Sequence, residues 1–107
     1  MFELFQSEKS QEFYFRLKAA NGQIILSSEG YAQKAGALNG IESVKANADS
    51  LDQYEMKESS NGKFYFVLKA KNHQVIGKSQ MYASKAGAEN GIESVMKNAP
   101  GAPVEEV

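Results

Sequence analysis

Three strands followed by one helix, written twice along 107 residues, predict a small α+β domain with one shared antiparallel sheet and two helices on one face. Three observations carry this reading: the chain repeats itself, each copy opens with the two-residue alternation of strands, and each then changes to the longer period of a helix. Aligning Phe13 with Phe64, an offset of 51 residues, gives 24 identities in the 36 positions that end at Ala48 and Ala99. The longest shared segments are Phe13-Tyr14-Phe15 with Phe64-Tyr65-Phe66, Lys34-Ala35-Gly36-Ala37 with Lys85-Ala86-Gly87-Ala88, and Asn39 to Val44 with Asn90 to Val95. Upstream the offset becomes 52 and pairs Phe2-Glu3-Leu4 with Tyr54-Glu55-Met56. The extra residue falls in Glu8-Lys9-Ser10-Gln11, where a hairpin loop tolerates a change of length.

Strand one is expected at Phe2 to Gln6 and again at Tyr54 to Glu58. In strand two, Phe13, Phe15 and Leu17 point one way and Tyr14, Arg16 and Lys18 the other, and Phe64, Phe66 and Leu68 repeat the pattern, so one face of the sheet is core. Asn21-Gly22 then predicts a two-residue hairpin turn with both residues at positive φ, leading into strand three at Gln23 to Ser28; Asn72-His73 stands at the same place in the second copy. Helical spacing follows from about Ala32 to Ala46 and from Ala83 to Lys97. Ala37, Ile41, Val44 and Ala48 form an apolar stripe that lies on the sheet, matched by Ala88, Ile92, Val95 and Ala99. Gly36, Gly40, Gly87 and Gly91 lie inside these helices, each at a cost of about 1 kcal/mol relative to alanine. Close approach of the helix backbone to the sheet or to the other helix accounts for them. Val104 to Val107 is a candidate short extra strand. A single copy buries only one side of a small sheet, so the two copies, about 1–51 and 52–107, are expected to form one domain over residues 1–107 with a pseudo-twofold axis.

Composition narrows the function. Hydrophobic residues at 42% against 23% charged allow a chain of this size to fold unaided, which argues against disorder. Twelve Lys and Arg against thirteen Asp and Glu leave a net charge of −1, so no global field draws in nucleic acid or acidic membrane. Apolar runs such as Phe13 to Phe15 are far below the roughly 20 residues that span a bilayer. Met1-Phe2-Glu3-Leu4-Phe5 is unlike a secretory signal, and a cytoplasmic location is expected. Absence of cysteine removes disulfides, thiolate nucleophiles and zinc clusters together.

Side-chain chemistry is sparse. His73 is the only imidazole and sits in a turn, where a residue tolerant of left-handed backbone is wanted. No metal site, cofactor or catalytic residue is expected, and neither a nucleophile elbow nor a phosphate loop is present. The recurring acids Glu3/Glu55 and Glu42/Glu93 are the only paired carboxylates, and the second pair is expected on solvated helix faces. Two constellations remain. Ser28, Tyr31 and Lys34, repeated as Ser79, Tyr82 and Lys85, run from the end of strand three into the first helical turn. A lysine there opposes the helix dipole, so its presence in both copies points to an anion site. The plainer alternative is a solvated lysine over a tyrosine that packs as a lid. On the sheet's other face Tyr14, Arg16, Lys18, Tyr65 and Lys69 place aromatic and cationic groups side by side, as in single-strand RNA binders; cross-strand packing explains the same residues.

These residues resemble a known family. Phe15-Arg16-Leu17-Lys18-Ala19-Ala20-Asn21-Gly22, Ser28-Glu29-Gly30-Tyr31, and Asn39 to Ala48 are similar to the YegP-like proteins, small bacterial proteins of uncharacterised function, over essentially the whole chain. The resemblance implies tandem β-β-β-α-β units that form one sheet with the final strands exchanged between halves. The second copy departs from the pattern at Val67, Lys71, His73 and Gly77-Lys78.

The expected function is a non-enzymatic binding or interaction module with two quasi-equivalent surfaces. One route is capture of a small anion at the helix starts. Another is protein or single-stranded nucleic acid on the Tyr/Arg/Lys face, or protein contact through an exposed edge strand. A protein or a small anion is expected ahead of nucleic acid, no membrane contact is expected, and a completed tandem sheet favours a monomer.

Overall fold

The computed structural model describes all 107 residues. In chain order they form β1 (Phe2–Gln6), β2 (Phe13–Lys18), β3 (Ile24–Ser27), α1 (Lys34–Asn47), a 3-10 turn (Leu51–Gln53), β4 (Tyr54–Glu58), β5 (Phe64–Lys69), β6 (Val75–Lys78), α2 (Lys85–Asn98) and β7 (Val104–Glu106). One sheet holds all seven strands in the order β4-β5-β6-β3-β2-β1-β7. The copies meet at its centre, where β3 and β6 share a single pair, Ser27 with Lys78. The sheet is antiparallel except at one edge, a departure from the uniformly antiparallel expectation: β7 runs parallel to β1. The chain leaving α2 reaches the end of the sheet where β1 begins, and there Phe2 N–H donates to the Pro103 carbonyl at 2.8 Å. The place beside β2 is already taken by β1, so the tail lies outside it.

Alternation in β2 and β5 seals Phe15, Leu17, Phe66 and Leu68 in the core, and Val67 on the other face of β5 is buried as well. Each copy carries a bulge, between Leu17 and Lys18 and between Leu68 and Lys69. The first sets Lys18 opposite Ile24 and Leu17 opposite Leu26, which turns both Ile25 and Leu26 inward. Strand three is therefore shorter than Gln23 to Ser28. The hairpin before it also differs from a two-residue turn. Only Gly22 has positive φ, at 84°, and the loop is closed by Ala19 N–H to the Gln23 carbonyl and by Gly22 N–H to the Ala19 carbonyl. Asn21 serves through its side chain, with Oδ1 accepting from Gln23 N–H at 3.0 Å. In the second copy Asn72 Oδ1 does the same for Gln74, and His73 takes the left-handed position at φ 70°.

The helices start later than the apolar spacing suggests, at Lys34 and Lys85, but their stripes hold: Ala37, Ile41, Val44 and Ala48, with Ala88, Ile92, Val95 and Ala99, are buried. α1 packs on β1 and β2 and reaches across to β5 and β6, while α2 packs on β5 and reaches β3. A single core of 15 buried residues draws on both copies. The helix glycines admit aromatic rings rather than another backbone. At Gly40 an added Cβ would stand 2.5 Å from Tyr31 Oη and 2.8 Å from Phe15 Cε2, and Tyr82 and Phe66 crowd Gly91 in the same way.

Candidate functional site

At the helix starts the serines and tyrosines are committed to the fold. Ser28 Oγ accepts from Phe15 N–H at 2.9 Å and donates to the Glu29 carbonyl at 2.8 Å; Ser79 Oγ does the same with Phe66 and Gln80. Each hydroxyl thus extends the ladder past the end of its strand. Tyr31 and Tyr82 bridge to Phe13 and Phe64 through main-chain bonds. Their rings stack on Phe15 and Phe66 with centroids 6.2 and 6.4 Å apart, under the glycines of the helix above. Ser84 caps α2 by accepting from Gly87 N–H, while Gln33 makes no side-chain cap on α1. What remains exposed of each constellation is its lysine. Lys34 reaches Glu106 at 2.5 Å, but Lys85 has no carboxylate within ion-pair distance.

The opposite face of the sheet carries no helix and holds the second group of candidates, whose cations are partly offset by two carboxylates. Glu3 binds Arg16 at 2.7 Å and Lys18 at 3.2 Å; Glu55 binds Lys69 at 2.5 Å and Lys57 at 3.8 Å. Arg16 also lies 4.7 Å over the Phe5 ring, on which Tyr14 stacks. In the second copy Val67 replaces Arg16, and Lys78 covers Tyr65 instead, 4.9 Å from its centroid. Hydrogen bonds from Arg16 and then Lys18 hold Glu3 below the usual carboxylate range, and Lys69 does the same for Glu55, the reverse of the upward shift that prepares a general acid. Glu42 pairs with Lys45 on the exposed flank of α1, and Glu93 is exposed on α2, so neither joins Glu3 or Glu55 in a dyad.

Two further features stand out, one at the seam between the copies and one on the second copy. A cleft of about 450 Å³ opens at the β3/β6 seam, lined by Ile24, Ser27, Glu29, Val75, Lys78 and Gln80. The larger feature is the β4 edge. β4 pairs with β5 in the register that β1 uses with β2, Tyr54 with Leu68 as Phe2 with Leu17. Beyond β1 lies β7; beyond β4 lies nothing. The five residues Asp49 to Gln53 lead from the end of α1 straight into β4, far fewer than the dozen or so needed to place a parallel strand beside it. A groove of about 800 Å³ runs between this edge and α2, walled by Leu51, Tyr54, Met56, Ile92 and Met96, with Lys85 at one end. Leu51 is 65% exposed there, whereas Phe2 and Leu4, equivalent to Tyr54 and Met56, are sealed. No local pattern marks this site. The one sequence signal is that the segment after α1 is too short to do what the segment after α2 does.

This geometry defines a class: a tandem-repeat α+β domain whose tail extends the sheet beyond β1, while no strand is added beyond β4 at the other end. The chain belongs to the family described as Domain of unknown function (DUF1508), which matches residues 8–55 and 59–106. Each matched segment runs from the loop before the second strand of its copy, through the helix, into the strand that follows. The last strand, β7, pairs with β1 of the other half, as the resemblance implied for final strands, whereas β4 opens the second copy and pairs with β5 within it. The chain is 58% identical over 106 residues to a UPF0339 protein from the ptx operon 5' region of Stutzerimonas stutzeri, covering 99% of this chain and 95% of that one. It is 55% identical over 97 residues to the UPF0339 protein YegP of Escherichia coli K12, covering 91% and 87%. The solution NMR structure of yegP from E. coli, titled a protein of unknown function, superposes with a TM-score of 0.92 at 50% identity over 98% of this chain and 90% of that one. That of a UPF0339 protein from Shewanella oneidensis gives 0.92 at 48% identity over 98% and 88%. No helix is long and apolar enough to cross a membrane.

Proposed function

We propose that this protein is a non-enzymatic interaction module that binds an extended segment of a protein partner along β4. The observation that supports this reading is the unpaired edge beside an apolar groove, at the position whose counterpart in the other half holds a strand. In the pairing of β4 with β5, Met56 falls among the residues whose main-chain groups point out of the sheet. Tyr54 N–H is turned to the Leu51 carbonyl, so Met56 supplies the first unclaimed donor. An added strand would gain main-chain bonds from this edge and side-chain specificity from the groove. Charged Glu55, Lys57 and Glu58 restrain indiscriminate pairing of the same edge.

The other readings have weaker support. Serines closed into the sheet leave the helix-start anion route resting on lysines alone, and Glu3 and Glu55 partly offset the cations of the sheet face. Met56→Pro tests the edge reading, because proline removes an N–H that β5 does not use. Extended peptides that shift the amides of Tyr54 to Glu58 in the parent protein should fail to bind the folded variant. Equal binding by Met56→Pro would refute the proposal.

A further inference from the structure

Building on the edge-binding reading, we infer that the β4 groove takes an extended peptide running parallel to β4, with an acidic residue at Lys85 and a basic residue two positions earlier at Glu89. The template is the chain's own β7. There Val104 and Glu106 lie beside Phe2 and Leu4 and share their helix-facing side, and Val107 N–H donates to the Leu4 carbonyl. Glu106 reaches Lys34 at the start of α1, so β7 runs against the helix direction. Two residues along a strand cover about 6.6 Å, and four along a helix cover about 6 Å. Alternate strand residues therefore keep step with helix positions four apart. This spacing sets Glu106 against Lys34 and Val104 against Leu38, an apolar pair whose members are each 39% exposed.

The second copy retains half of this code and changes the other half. Lys34 becomes Lys85, left without a carboxylate, while Leu38 becomes Glu89 and Lys45 becomes Met96. Lys85 and Glu89 both line the groove, and no ion pair joins them. The groove thus asks for a carboxylate where β7 has one, and for a cation where β7 has valine. Glu93, the remaining charge on this wall, adds to the preference for a cation toward the peptide's N-terminal end.

Three acetylated hexapeptides test the inference by NMR titration of the labelled full chain: Ala-Pro-Lys-Glu-Glu-Val, the valine form Ala-Pro-Val-Glu-Glu-Val, and the reversed Ala-Pro-Glu-Glu-Lys-Val. The first should shift the amides of Tyr54 to Glu58 and Lys85 to Met96 in a saturable way. It should bind about three- to ten-fold tighter than the reversed peptide, the range expected of two exposed charge pairs. In the double variant Lys85→Glu/Glu89→Lys the order of preference should invert. That variant keeps the fold, since both positions are exposed and an acid suits a helix start. Equal binding of all three peptides at β4 would overturn the charge code and leave the edge reading standing. Shifts confined to β1 and β7, or none at all, would overturn both. Concentration-dependent protection of the β4 amides without peptide would show a second copy on this edge and would also overturn the inference.

Discussion

Leu26 and Gly77 hold the same position in the two copies and meet at the seam: a Cβ on Gly77 would stand 2.6 Å from Leu26 Cδ2 and 2.7 Å from its Cγ. Near a twofold axis a side chain confronts its own image, and there is room here for one leucine. The copies differ at this point because the symmetric arrangement of two leucines does not fit. Sequence divergence at a seam is thus a packing requirement of the duplication.

Gly77→Ala should accordingly destabilise the protein by about 1–3 kcal/mol, as overpacking does. Leu26→Ala leaves a cavity and should cost about 2–5 kcal/mol. Combined, the two should cost less than their sum, because the new methyl enters the space the leucine vacates. Chemical denaturation of the four proteins measures the coupling; strict additivity would mean that the two side chains do not compete.

Gly40→Ala should lower stability even though alanine is the better helix former by about 1 kcal/mol. The added methyl meets Tyr31 Oη and the Phe15 ring. Tyr31→Phe removes the hydroxyl and should recover part of the loss in the double variant. Thermal melts read the order, and a stabilised Gly40→Ala would show that the tyrosine is free to move aside.

Ser28→Ala and Ser79→Ala should each cost about 1–3 kcal/mol, the penalty for leaving the N–H of Phe15 or Phe66 without its acceptor. Ser79 is the more deeply buried, and its loss should be the larger. Amide exchange at Phe15 and Phe66 should accelerate with it. Unchanged exchange would assign the hydroxyls another role.

The pairs of Glu3 and Glu55 set the acid limb of stability. Both carboxyls titrate below the ordinary glutamate value of 4.5 in the folded protein, Glu3 through Arg16 and Lys18, Glu55 through Lys69 and Lys57. A depressed folded pKa means that the stabilisation is present above about pH 4.5 and is lost as pH falls through the folded values. Glu3→Gln should flatten the decline of stability with acid. A stability curve as steep as the parent's would remove Glu3 from that account.

Most of the fold was legible because local patterns carry it. β1, β2, β4 and β5 match the expected strands, and both apolar stripes are buried, since alternation and helical spacing respond to the same core. Boundaries failed where side chains replace main chain: Ser28 finishes a ladder with its hydroxyl, and Asn21 shapes its turn with Oδ1 rather than with left-handed backbone. The candidate sites were less legible. Ser28, Tyr31 and Lys34 look like an anion cradle in one dimension, but nothing in their spacing reveals that the ring lies beneath Gly40. The β4 edge lies between elements distant in sequence, and only the topology makes it visible.

The parallel pairing of β1 with β7 has a consequence for how the protein is made. During synthesis β1 emerges before any of its neighbours, and its outer edge stays unpaired until α2 and the tail have left the ribosome. A nascent chain therefore exposes the five-residue edge of β1, where the mature protein ends its sheet on the shorter, charged β7. The tail acts as a late-arriving safeguard against strand-to-strand misassembly, and a chain arrested after α2 should be the aggregation-prone species in the cell.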